Sequence, residues 1–157
     1  MKLVLLNSPS SSAPWINELE SEYQKKIQPF FPFQIIKLSS KKKSERADFQ
    51  AKRKDEAALI LRELNDRDFV ILWDERGKSY SSLLFAKQLE RALGTGKQRI
   101  CFIIGGAYGV DPSVQERADL TVSMSAFVLN HLIAKAVALE QLYRALTIIK
   151  NIPYHNE

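Results

Sequence analysis

Three short segments combine glycine, charge and small polar side chains in patterns suited to holding a ligand. In Ile103-Ile104-Gly105-Gly106-Ala107-Tyr108-Gly109-Val110-Asp111-Pro112, an apolar run ends in paired glycines. Asp111 and Pro112 then take the places of a helix N-cap and first helical residue. Glycines there let a ligand approach the backbone, and ligands of α/β sheets gather at the carboxyl ends of strands. A tight turn would use the same residues. Trp73-Asp74-Glu75-Arg76-Gly77-Lys78-Ser79 follows another apolar run and, by itself, reads as a surface turn. Ser123-Met124-Ser125-Ala126-Phe127-Val128-Leu129 leads from a third run into a long helical stretch. Loops of this kind at several strand ends can line one cleft.

Two phosphate motifs are absent from these loops. A dinucleotide fingerprint would need glycine at Ile104, and the Walker A pattern ending in Gly77-Lys78-Ser79 would need it at Leu72. Nucleotide hydrolysis and dinucleotide redox chemistry are therefore set aside. Glu140 and Arg144 stand i, i+4 in the favourable order, which serves a structural helix pair equally well. The tail, Asn151-Ile152-Pro153-Tyr154-His155-Asn156-Glu157, gathers chemistry-bearing side chains where a frayed end is the usual outcome. Cys101, among apolar neighbours, reads as a small core residue.

The elements that must position these residues alternate along the chain. Short apolar runs predict strands at Leu3–Leu6, Phe33–Leu38, Phe69–Trp73, Ile100–Ile104 and Leu120–Val122. Helices are expected over Trp15–Gln28, Glu45–Leu64, Ser82–Leu93, Pro112–Ala118 and about Ala126 to Lys150. This order implies one α/β domain over residues 1–157, its sheet largely parallel with helices on both faces. The last helix is apolar around most of its circumference, through Leu129, Leu132, Ile133, Ala136, Val137, Leu139, Leu142, Tyr143, Leu146 and Ile149. One face can pack on the sheet, and a second copy of the chain is the economical partner for the other.

Composition bounds the rest. In 157 residues, 45% are apolar and 26% charged, which excludes disordered and fibrous classes. No apolar run approaches the roughly 20 residues of a membrane span, and Leu3–Leu6 is too short for a signal-peptide core. One cysteine and two histidines argue against a disulfide or a structural zinc site. A cytoplasmic protein is expected. The net charge of +5 is unevenly placed: residues 25–54 hold ten basic side chains against Glu45 and Asp48. That segregation suits a polyanion such as RNA, although a solvated face has the same composition. Lys41, Lys42, Lys43, Arg46, Lys52, Arg53 and Lys54 are the expected phosphate contacts.

Five blocks together resemble one family: Asp74-Glu75-Arg76-Gly77-Lys78, Ile104-Gly105-Gly106-Ala107-Tyr108-Gly109, Ser123-Met124-Ser125, Glu140-Gln141-Leu142-Tyr143-Arg144-Ala145 and Pro153-Tyr154-His155. In order and spacing they resemble the RlmH family of SPOUT-class 23S rRNA (pseudouridine-N3)-methyltransferases, over essentially the whole chain. The resemblance implies a C-terminal trefoil knot, a homodimer, and S-adenosylmethionine as cofactor in a region of about residues 69–150. It further implies methylation of N3 of a pseudouridine in the helix 69 loop of 23S rRNA in the ribosome, with no metal and no membrane. Cofactor contacts are implied for Trp73, Gly105, Met124, Ser125, Ala126, Phe127, Val128 and Leu129. The substrate side is implied for His131, Lys135, Glu140, Tyr143 and Arg144, with Tyr154 and His155 of the tail (residues 151–157) as catalytic candidates. Trp73, Asn130 and Lys135 stand where relatives often carry Leu, Pro and Arg. A SPOUT enzyme acting on tRNA and a non-catalytic RNA-binding module are the alternatives.

Overall fold

The computed structural model describes residues 1–7, 12–39, 48–105 and 109–156. In chain order the elements are β1 (Lys2–Asn7), α1 (Pro14–Ile27), β2 (Phe33–Lys37), α2 (Phe49–Glu63) and β3 (Asp68–Ser79). There follow α3 (Ser82–Leu93), β4 (Arg99–Ile104), α4 (Pro112–Arg117), β5 (Leu120–Ser123) and α5 (His131–Ile149). The strands form one parallel sheet in the order β2-β1-β4-β3-β5.

Unbroken apolar runs are what strands covered on both faces require. Leu3 and Leu5 of β1, with Ile100 and Phe102 of β4, pack in the layer that holds α1, α3 and α5. Their neighbours Val4, Leu6, Cys101 and Ile103 pack on the opposite side, with α2 and α4. Cys101 lies in that second core, and burial pushes its thiol up to about 12. The two layers follow from the connections. α1 and α3 belong to crossovers that step toward the β2 edge, while α2 and α4 belong to steps toward the β5 edge. Opposite steps with helices on opposite faces give all four crossovers one hand, as the twist of parallel strands demands. Adjacent strands β3 and β4 thus send their chains to opposite faces, the arrangement that opens a crevice at their carboxyl ends.

Three boundaries depart from the expectations. β3 runs on to Ser79, so the expected surface turn is a strand. Trp73 and Lys78 both pair with Val122, with a register shift between them, so residues 74–77 bulge out and the strand then rejoins β5. Gly77 permits this crossing: a Cβ there would stand 2.6 Å from the Val122 nitrogen and 2.7 Å from the Thr121 carbonyl carbon. The last helix begins at His131 rather than Ala126. The Ser125 hydroxyl accepts from the Phe127 amide at 2.9 Å, and Asn130 caps the helix by accepting from Leu132 at 2.9 Å. α2 likewise begins at Phe49, with extended Asp48 as its N-cap accepting from Gln50.

Candidate active site

A cleft of about 470 Å³ opens at the carboxyl edge of the sheet. The ends of β3 and β4 contribute Trp73, Asp74, Glu75, Arg76, Ile104 and Gly105, and residues 109–110 close one side. The segment after β5 supplies Met124, Ser125, Phe127, Val128 and Leu129, while His131 and Ala134 of α5 complete the wall. Every residue assigned to the cofactor side except Ala126 lines this cleft, and His131 joins it from the substrate side. Arg53, on the second turn of α2, reaches the rim. Lys41, Lys42, Lys43, Arg46, Gly106, Ala107 and Tyr108 lie outside the described residues. Ile104, Gly109 and Val110 belong to the glycine loop singled out in the sequence, whereas Ala134 of α5 was not anticipated.

Trp73 is buried and packs on Phe85 of α3, with ring centroids 4.9 Å apart. Its position is thereby fixed by the core. Next to it, Asp74 accepts from Arg76 Nε and Nη2, each at 2.8 Å, and from the Arg76 amide at 2.9 Å. Those hydrogen bonds hold the Asp74 carboxyl below the ordinary carboxylate range. An acid so stabilised as its anion is a weak proton acceptor. Gly105 differs from the expected picture too. A Cβ on it would meet Val110 Cγ2 at 2.5 Å, so the glycine answers first to close packing within its own loop. Phe127 and Val128 are 82% and 86% exposed at the mouth of the cleft. Among the described residues no cluster of His, Cys, Asp or Glu is placed to hold a metal, and no helix is long and apolar enough to cross a membrane.

Glu140, Tyr143 and Arg144 form a second cluster with the tail, in the C-terminal half of α5. Glu140 and Arg144 lie about 14 and 20 Å along the helix from His131, at 1.5 Å rise per residue. Arg144 Nε and Nη2 both donate to Glu140 Oε1, at 2.9 and 2.6 Å. The Tyr154 hydroxyl donates to the same oxygen at 3.2 Å, and its ring lies under the Arg144 guanidinium at 4.7 Å. Tyr143 meets the Tyr154 ring edge-on at 4.8 Å. His155 Nδ1 lies 3.2 Å from Arg144 Nη1. Arginine only donates, so Nδ1 is the acceptor and neutral His155 carries its proton on Nε2. The tail is therefore folded back onto α5 rather than frayed.

Lys135 belongs to neither cluster, which corrects its expected place on the substrate side. It is 1% exposed, and its ammonium donates to Glu20 Oε1 of α1 at 2.9 Å. Asn7, at the end of β1, donates to the same oxygen at 3.0 Å, and Lys37 of β2 lies 3.6 Å from the other. Burial pulls the Lys135 ammonium below its ordinary value, against the opposing pull of Glu20. One residue away, Ala134 faces the cleft; a single helical step decides whether a side chain meets ligand or interior.

Comparison with known proteins fits this arrangement. The family model described as predicted SPOUT methyltransferase matches residues 1–155. The ribosomal RNA large subunit methyltransferase H of Bdellovibrio bacteriovorus is 51% identical over 156 residues, covering 99% of both chains. Its namesake in Syntrophotalea carbinolica is 39% identical, again over 99% of both. Among solved structures, a probable methyltransferase from Bordetella pertussis superposes with a TM-score of 0.57 at 13% identity, over 92% of this chain and 95% of that one. The chain belongs to the SPOUT methyltransferases and, within them, to the family of ribosomal RNA large subunit methyltransferase H.

Proposed function

We propose that the protein methylates N3 of a pseudouridine in the helix 69 loop of 23S rRNA within the ribosome, as a cytoplasmic homodimer using S-adenosylmethionine. Family membership supports the coarse part of this reading, since the relatives are named for methylation of large-subunit ribosomal RNA. The cleft at the carboxyl edge of the sheet supports the cofactor part of the reading. Its volume falls within the range of small-molecule sites. Trp73, Ile104, Met124 and Leu129 offer apolar walls for a purine ring, and Ser125 with the backbone around Gly105 offers polar partners. When bound, the cofactor supplies an electrophilic methyl group on a sulfonium. A cleft walled by the core-fixed Trp73 suits that chemistry by orienting the cofactor and excluding water.

Alkylation at N3 requires the base to lose its proton. Asp74 is spent on Arg76, and His155 has its free lone pair turned to Arg144, so neither is a ready acceptor. In this reading His155 Nε2–H and the Tyr154 ring orient the base, and the proton passes to water. Within a protomer the tail cluster, held at Glu140 and Arg144, is displaced along α5 from the cleft, whose lining reaches Ala134. A dimer that seats the tail of one copy at the cleft of the other brings them together, and exposed Phe127, Val128 and Ile133 are apolar surface for such a seam. The C-terminal trefoil knot of the family belongs to the same proposal, as does phosphate binding by Lys52, Arg53 and Lys54.

The test removes Tyr154 through Glu157. The truncated protein is expected to stay dimeric by light scattering and to bind cofactor by calorimetry, yet to lose transfer of labelled methyl to ribosomes. Full activity in the truncation overturns the role of the tail. Labelling of tRNA instead of ribosomes by the intact chain reassigns the substrate, and no cofactor binding leaves an RNA-binding module.

A further inference from the structure

The chain reverses direction after α5, and that reversal lets the tail meet the helix. α5 ends at Ile149, and Lys150 caps it with its amide donating to the Leu146 carbonyl at 3.1 Å. Asn151 follows with φ 53°, and among the described residues it alone combines a side chain with left-handed backbone. Its amide donates to the Ile148 carbonyl at 3.1 Å, and the Ile152 amide donates to the Thr147 carbonyl at 2.9 Å. The second bond spans the first. In this pattern a left-handed residue closes a helix and satisfies carbonyls that have no partner within it. Pro153 disfavours helical backbone at Ile152, so the chain does not resume the helix.

The turn carries Tyr154 and His155 back along α5. Glu140, which accepts from Tyr154, lies about 14 Å before the end of the helix at 1.5 Å per residue. Arg144, which donates to His155 Nδ1, lies about 8 Å before it. Right-handed backbone at residue 151 would send the chain onward along the axis, away from both. The Asn151 side chain is exposed and hydrogen-bonds to none of the described residues, so its contribution is conformational. Left-handed backbone is costly for residues that carry a Cβ, and asparagine is among those that adopt it most readily. Glycine adopts it as well but leaves the undocked chain freer.

We infer that Asn151 is a positioning residue for methyl transfer: its left-handed backbone turns the tail back, so that Tyr154 and His155 stand on Glu140 and Arg144. The inference rests on the proposed role of the tail. Asn151 touches no reacting atom and acts through the path of the chain alone.

Full-length Asn151→Val and Asn151→Gly test it, beside the truncation that removes Tyr154 through Glu157. Asn151→Val puts a β-branched residue where left-handed backbone is needed and is expected to lower kcat for methylation of ribosomes about tenfold. Cofactor affinity by calorimetry should hold. Hydrogen exchange at the Ile152 amide should quicken as its bond to Thr147 opens. Asn151→Gly reaches the original backbone and should keep at least about half of kcat, with the Ile152 amide still protected. A cap that serves only the helix end would lower the melting temperature of Asn151→Val and leave kcat normal. Normal kcat in Asn151→Val, or equal losses in the two variants, overturns the inference, while an inactive truncation keeps the tail's role standing. Full activity in the truncation overturns both.

Discussion

The two edges of the sheet use charge in opposite ways. At the amino edge, Asp68 of β3 is paired with Arg99 of β4 through Nε at 2.9 Å and Nη2 at 2.6 Å. Asp68 also accepts from the Asn65 amide, and Arg99 donates to the Glu63 carbonyl. Arg117 binds the carbonyls of Asn65 and Asp68, and Asp119 accepts from the Val70 amide. Each of these groups is matched inside the protein. At the carboxyl edge the Asp74–Arg76 pair borders a cleft, and Phe127 and Val128 face outward. The closed edge holds the strands in register; the open edge keeps surface available for partners. Charged side chains near a strand end therefore say little until their hydrogen bonds are followed.

Gly77→Ala should break this division most severely. The new Cβ would press on the backbone of Thr121 and Val122, which has no flexible end to yield. A cost of about 2–3 kcal/mol is expected, lowering the melting temperature by about 5–10 °C. The bulge at residues 74–77 should shift with it, weakening cofactor binding by calorimetry. Preserved melting and binding would mean that β3 does not need its second contact with β5.

Gly105→Val acts inside the open edge. It should abolish cofactor binding with a small loss of stability, about 1 kcal/mol read by thermal melting. Adding Val110→Ala removes the atom that the Cβ meets and should restore part of the binding. No recovery in the double variant would assign the clash to the cofactor instead.

Asp68→Asn probes the closed edge and should have the smallest effect on the cleft. Burial would push the Asp68 carboxyl up, but hydrogen bonds from Arg99 and the Asn65 amide outweigh it and bring it below the ordinary value. A lowered carboxyl contributes stability above its unfolded value, near pH 3.9, and loses it as pH falls. The variant should be about 1–2 kcal/mol less stable at pH 7, since Arg99 keeps the Glu63 carbonyl. That difference should close below about pH 4 in melts across pH. Cofactor affinity should stay unchanged throughout, and a change would show that the two edges are coupled.

The same contrast separates what could be read in the sequence from what could not. All five strands and five helices were legible, because unbroken apolar runs and the Asp111-Pro112 cap are local signals. The cleft was legible as three loops at strand ends. The return of β3 onto β5 was not, since polar residues 74–79 have no strand periodicity and owe their pairing to a glycine crossing a distant backbone. The start of α5 was missed because Ala126 to Leu129 favour helix by composition, while the Ser125 and Asn130 side chains hold the preceding segment out of it. Lys135 was misread because its partner Glu20 is 115 positions away.

That separation also bears on how the chain is made. Synthesis delivers Glu20 early and Lys135 near the end, and central β1 waits for β4 long after β2 is complete. Until α5 emerges, Glu20 has no Lys135 to pair with, and the apolar layer under α1 and α3 lacks its cover. Vectorial synthesis thus offers this fold no early resting point. A nascent chain halted before α5 would display the uncovered face of its sheet and depend on chaperones or be degraded.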